Sequence, residues 1–368
     1  MKNVEHQFVA LGARNGAGFH PCQGLYVTPK GEKPRTAFIA SHYNVDFSEH
    51  YLGEYMASRG YGFLGWNTRF RGNEPFFLLE YALMDIGAGV RWLREAAGVE
   101  NIVLLGNSGG GSLMAAYQSQ AVDPVLKATP GLKIPDACKE LPPCDYYISL
   151  CAHSGRPEVL TDWFDPSVTD ETDPTSIDES LNMYNPENGP PYSKEFIEKY
   201  RLAQVARNDR ITDWAYSELD RLKEIGLSDR AFNLFRTWAD LRLMDGGIDP
   251  SDRPVGVCYA GNPKKANFSP RGIGLTNTLR TWLSMWSLRS SPCRGAPHLA
   301  KIVLPTLVIQ STADTGVFPS DAKSIYDLIG STDKQLEMTE GDHYLTKPDD
   351  ARDKHADLIA GWLGRQGV

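Results

Sequence analysis

Ile102-Val103-Leu104-Leu105-Gly106-Asn107-Ser108-Gly109-Gly110-Gly111-Ser112-Leu113-Met114-Ala115-Ala116 holds the strongest local signal in the 368-residue chain. The apolar run Ile102 to Leu105 reads as a buried strand, and the residues from Gly109 onward, with Leu113, Met114 and Ala115, read as a helix. Between them lies Gly106-x-Ser108-x-Gly110. A serine at the tip of so tight a strand–turn–helix joint is expected in a sparsely populated backbone region. Glycines two residues before and after it let strand and helix pass without a Cβ clash. The hydroxyl would then stand at a helix N-terminus, where unpaired N–H groups favour developing negative charge. A glycine-rich turn that only saves space or binds phosphate shares part of this pattern; the flanking strand and helix favour a nucleophile elbow.

Upstream, residues 4–11 and 19–29 read as an antiparallel hairpin joined at Gly12-Ala13-Arg14-Asn15-Gly16. Arg35 to Ser41 reads as a buried strand ending at His42-Tyr43-Asn44, followed by a helix over 48–58 and a strand over 61–66. Leu79, Leu83, Ile86, Val90 and Leu93 recur at helical spacing. Downstream of the elbow, Asp145 to Leu150 is a further strand, closing at Cys151-Ala152-His153-Ser154. This alternation predicts an α/β fold, a mostly parallel sheet with helices on both faces. The alternation then stops. Residues 156–300 show an acidic, proline-bearing loop (161–191) and helical stretches near 192–206, 209–225, 228–243 and 274–287. They carry Trp163, Trp214, Trp238, Trp282 and Trp286, and read as an inserted helical cap. Strand and helix alternation resumes over 302–310, 319–329, 335–338 and 350–364. The expected organisation is a core over 1–155 and 301–368 and a cap over 156–300.

A serine hydroxyl is a weak nucleophile at neutral pH and needs a base, itself oriented by a third group. In this architecture the chain order is Ser, then Asp or Glu, then His. Asp314 follows the strand ending at Gln310, and His343 follows the last short strand, in Gly341-Asp342-His343. Asp342 is the rival acid. All three candidates, Ser108, Asp314 and His343, fall at carboxyl ends of strands, the edge where open α/β sheets bind ligands.

On these residues, together with the Asn67-x-Arg69-x-x-Gly72 loop and the Pro305-led strand, the chain resembles the α/β-hydrolases, in the subgroup with a large helical cap between the sixth and seventh strands. The resemblance covers residues 1–155 and 301–368. It implies an oxyanion hole made by Gly109 N–H and a second N–H from the loop after the third strand. The family often has His-Gly there; this chain has His42-Tyr43, which leaves Tyr43 and Asn44 as alternative donors. His42 and His153, at strand ends, and Trp163, Trp214 and Trp238 of the cap are candidates to line the pocket. Arg69 reads as a loop-fixing donor.

The expected activity is hydrolysis of a carboxylester or lactone of a bulky hydrophobic or aromatic small molecule through an acyl-enzyme on Ser108. The same triad could cleave carbon–carbon bonds of β-diketone or ring-fission substrates, and a protein that kept the fold without the chemistry would bind small molecules only. The net charge of −8 gives no sign of a nucleic-acid or anionic-membrane partner. No run is long enough to span a bilayer. Met1 to His6 has no apolar stretch of signal length, so a cytoplasmic location with reduced cysteines is expected. No HExxH, GxGxxG or P-loop appears, so neither metal nor cofactor is expected. Homo-oligomerisation is left open.

Overall fold

The computed structural model describes residues 3–12 and 21–368. Eight strands form one sheet: Val4–Leu11 (β1), Cys22–Pro29 (β2), Thr36–Ala40 (β3), Gly62–Asn67 (β4), Asn101–Asn107 (β5), Tyr146–Leu150 (β6) and, after the cap strands β7 to β10 given below, Thr306–Ser311 (β11) and Lys334–Thr339 (β12). Their spatial order is β1-β2-β4-β3-β5-β6-β11-β12. β1 and β2 pair antiparallel, as do β2 and β4; from β4 to β12 every neighbour is parallel. The hairpin joint of residues 13–16 lies outside the described residues.

Successive side chains of a strand point to opposite faces, and here both faces are apolar because both are covered. Ala37, Ile39, Ile102 and Leu104 pack with the helices Leu79–Glu95 (α2) and Gly110–Val122 (α3). Phe38, Ala40, Val103 and Leu105 pack on the opposite side, with Met56 of Gly53–Ala57 (α1) and with Ile359 and Trp362 of the C-terminal helix Ala351–Arg365 (α10). This two-sided burial explains why these strands read as unbroken apolar runs.

Residues 156–300 hold Arg156–Trp163 (α4), a strand pair Val168–Asp170 and Asp173–Ile177 (β7, β8), Lys194–Glu224 (α5), a second pair Ala231–Asn233 and Thr276–Thr278 (β9, β10), and the short helices Pro263–Asn267 (α6), Leu279–Thr281 (α7) and Ala296–Leu299 (α8). Three expectations are corrected. The stretches 192–206 and 209–225 are one 31-residue helix, since no glycine or proline interrupts it. Residues 228–243 are not a helix: Phe232 pairs with Asn277 across β9 and β10, and Arg236 has a left-handed φ of 61°. Within 274–287, β10 and α7 give way to a π-helical turn, Trp282–Trp286. The core closes with Pro319–Leu328 (α9), β12 and α10.

Candidate active site

Ser108 sits between β5 and α3 with φ of 55°, the left-handed conformation the turn requires. Its N–H is tied to Leu150 O of β6 (3.1 Å), and the Asn107 amide donates to the same carbonyl (2.9 Å). The turn is too crowded for side chains at its glycines. A Cβ on Gly106 would lie 2.6 Å from Gly111 Cα, and one on Gly109 would lie 2.6 Å from His42 Nε2. No side chain caps the start of α3 at Gly109; Gly111 N–H is spent on Ser108 O (3.1 Å), which leaves the Gly109 and Gly110 N–H groups to meet an anion.

Asp314 follows β11 and is 1% exposed; His343 follows β12 and is 5% exposed. His343 Nδ1 and Asp314 Oδ2 are 2.6 Å apart. The other carboxylate oxygen, Oδ1, accepts the N–H groups of Gly316 (2.9 Å) and Val317 (3.0 Å), which hold the acid in one orientation. Among the described residues Asp342 has no hydrogen bond to the imidazole ring: its carboxylate accepts from Tyr344 N–H, Thr346 N–H and the Thr346 hydroxyl, and so fixes its own turn. Among the described residues Ser108 Oγ has no hydrogen-bond partner, and neither has His343 Nε2. Both residues line one cavity of about 160 Å³.

That cavity is also lined by His42, Asn44, His153, Arg156, Trp163 and Trp238, the two indoles stacked with centroids 4.6 Å apart. Trp214 is elsewhere. It is 39% exposed and lines a separate cavity of about 540 Å³ beside Arg210, Phe232 and Phe235. Tyr43 is buried, its hydroxyl 3.0 Å from Ser112 Oγ. The Asn44 N–H points at His42 Nδ1 (3.4 Å). Burial, reinforced by the Arg156 charge, pushes the imidazoles of His42 and His153 toward the neutral form, with the His153 pKa near 3.

Solved structures were compared with this arrangement. Est1E from Butyrivibrio proteoclasticus superimposes with a TM-score of 0.50 at 11% identity, covering 94% of each chain. The α/β hydrolase GrgF from Penicillium sp. sh18 gives 0.50 at 12% identity over 98% of each chain. DcsB, solved in complex with its substrate analogue, gives 0.50 at 13% identity over 98% of this chain and 99% of its own. The chain has the α/β-hydrolase fold. No protein-family model matches it, and no curated protein sequence does either. The likeness is therefore one of architecture.

On this α/β-hydrolase frame, two polar residues of the 156–300 segment at the cavity were not singled out from the sequence, nor were the apolar Val159 and Ile273. Tyr259 lies over His343 with ring centroids 4.6 Å apart, and its hydroxyl is 3.3 Å from Asp314 Oδ1 and 3.0 Å from His343 Nδ1. It fits only because residue 316 is glycine: a Cβ there would stand 2.0 Å from the phenol carbon and oxygen. Arg156, 3% exposed, is held between the rings of Tyr43 and Trp286 (4.9 and 4.5 Å) and pairs with Glu74 (2.6 Å). Neither Tyr259 nor Arg156 carries a local motif; only the folding of residues 156–300 against the cavity that Ser108 and His343 line brings them there. Among the described residues no group of three His, Cys, Asp or Glu side chains is placed to hold a metal ion, and all six cysteines are free. No helix among them is long and apolar enough to cross a membrane.

Proposed function

We propose that the protein is a serine hydrolase that cleaves a carboxylester or lactone bond of a hydrophobic or aromatic small molecule. The observation that carries this reading is the 2.6 Å Asp314–His343 pair, whose imidazole lines the same cavity as Ser108, itself in a strained left-handed turn. Strain of this kind persists where surrounding structure enforces it, and it concentrates at functional sites.

His343 Nε2 takes the Ser108 proton as Oγ attacks the carbonyl carbon. Asp314 keeps the Nδ1 proton in place and stabilises the imidazolium that forms. The carbonyl oxygen gathers negative charge against Gly109 N–H and a donor from the segment after β3, where Tyr43 N–H is the backbone candidate because Asn44 N–H faces His42. The imidazolium returns its proton to the departing alcohol. A water, deprotonated by His343, then releases the acid and restores the hydroxyl. Nucleophile–base contacts are commonly long in unliganded sites and tighten with substrate.

The cavity suits a small acyl group. At about 160 Å³ it is close to the roughly 150 Å³ that accommodates a benzene ring. Trp163, Trp238, Val159 and Ile273 supply apolar walls. A cavity of this volume suits an acyl part about the size of an aromatic ring.

The test is treatment with a fluorophosphonate, followed by intact mass and peptide mapping, alongside turnover of phenyl acetate, a lactone and a β-diketone. An adduct on Ser108, ester or lactone turnover, and loss of both in Ser108→Ala are expected. An adduct elsewhere, or full ester hydrolysis by Ser108→Ala, would refute the serine mechanism. Turnover of the diketone alone would move the assignment to carbon–carbon cleavage.

A further inference from the structure

The ring of His42 is held by two backbone donors on the same nitrogen. Asn44 N–H and Val45 N–H both point at Nδ1, each at 3.4 Å. A proton on Nδ1 would collide with both, so Nδ1 is the acceptor and the neutral ring carries its hydrogen on Nε2. Nε2 has no acceptor among the described residues. The ring edge bearing it abuts Gly109: an added Cβ there would meet Nε2 at 2.6 Å, ahead of Cε1 at 3.1 Å and Cδ2 at 3.3 Å. His42 and Ser108 line the same cavity. An N–H is therefore directed to the place where α3 opens its first amides beside the nucleophile.

We propose that His42 is a catalytic residue whose Nε2–H joins Gly109 N–H in stabilising the oxyanion. This rests on the serine-hydrolase reading above. As the Ser108 Oγ–carbon bond forms, the carbonyl π pair moves onto oxygen, and the imidazole donates a hydrogen bond to that oxygen without transferring its proton. The two ring nitrogens divide the work: Nδ1 holds the loop and Nε2 faces the reaction. The same buried, neutral imidazole suits the role, since a ring that titrated would lose its fixed tautomer.

Two amide substitutions separate these roles, because each keeps one of them. In His42→Asn the side-chain oxygen lies near the former Nδ1 position and still accepts from the loop, but nothing reaches Nε2. In His42→Gln the longer side chain carries an N–H group toward the former Nε2 position. With phenyl acetate as substrate, His42→Asn is expected to lower kcat by about 10²–10³, the usual loss of one oxyanion donor, with KM little changed. Its affinity for phenylboronic acid, which forms a tetrahedral adduct on the serine, falls in parallel. His42→Gln retains more of both than His42→Asn does. Cooperative melting of the variants is checked first, and His42→Ala replaces the Asn variant if that does not melt cooperatively.

Parental kcat in His42→Asn, equal losses in the two amide variants, or the reverse ranking would overturn the proposal and leave His42 as a loop-holding residue. Fluorophosphonate labelling of the unsubstituted protein keeps the two levels apart. No adduct on Ser108 sinks the serine reading itself, whereas an adduct together with a fully active Asn variant sinks only the role of His42.

Discussion

Asp314 spreads its two oxygens over four donors: Oδ2 on the His343 ring, and Oδ1 on two backbone N–H groups and the Tyr259 hydroxyl. Asp314→Asn would replace one acceptor oxygen by an NH₂ group and allow the wrong imidazole tautomer, and kcat is expected to fall by about 10⁴. A steady-state assay of the variant, checked for unchanged melting, measures this. Tyr259→Phe removes only the phenol. A hydrogen bond to a charged acceptor contributes about 1.5–3 kcal/mol, so a fall of about tenfold or more in kcat is expected if the bond persists through the transition state. Unchanged kcat in Tyr259→Phe would show that the phenol only fills space. At this scale the sequence was informative where chemistry leaves a local trace. Ser108, Asp314 and His343 each follow a strand in the order the architecture demands. Asp342 and Asp314 could be ranked only by their neighbours, and the turn around Thr346 explains which one is free to meet the imidazole. Tyr259 left no trace, since its partners are 55 and 84 residues away in sequence.

At the scale of elements, the joint from β5 to α3 and the joint after β11 both depend on missing side chains. Gly106→Ala would bring a methyl group to 2.6 Å from Gly111 Cα, a clash with backbone rather than with a flexible tip. A loss of about 1–3 kcal/mol in denaturant stability is expected. Gly316→Ala meets the Tyr259 ring instead. The ring must move, so this variant should reproduce the kcat of Tyr259→Phe. Parental activity in Gly316→Ala would show the ring to be dispensable. The strands of the sheet were readable because burial on both faces makes them continuous apolar runs. The cap was not, for two reasons. Phe232, Phe235 and Trp238 have helical spacing, yet the backbone at Phe232 pairs with β10 and the chain then turns through Arg236 in a left-handed conformation. Conversely, α5 runs through a polar middle that looked like a break, because Arg207, Asn208 and Thr212 are buried in hydrogen bonds to Asp165, Glu171, Thr161 and Ser287 rather than exposed. Long-range polar pairing of this kind is invisible to periodicity.

For the molecule as a whole, buried neutral histidines tie stability to pH. His50 is enclosed, its Nε2 on Asn107 Oδ1 (3.1 Å), and burial lowers its pKa to about 4; that of His153 falls to about 3. An unfolded histidine titrates near 6.5, so between that value and the folded pKa the unfolded chain binds the extra proton. The contribution of each such group is complete above pH 6.5 and is lost as the pH falls, by about 1.4 kcal/mol per pH unit, down to its folded pKa. Urea denaturation at pH 7, 6 and 5 measures the slope, and His50→Gln is expected to flatten it by the share of one group. A slope unchanged in that variant would show that residue 50 is not among the groups responsible.

The phenol of residue 259 arrives from the insertion, while the acid and base it touches hang from the sheet. A substrate that displaced the insertion on entering would take one hydrogen bond, that of the phenol, away from the Asp314 carboxylate, while the two backbone donors of the sheet-side loop stayed in place. Covering the cavity and completing the shell of donors around that carboxylate would then be a single event.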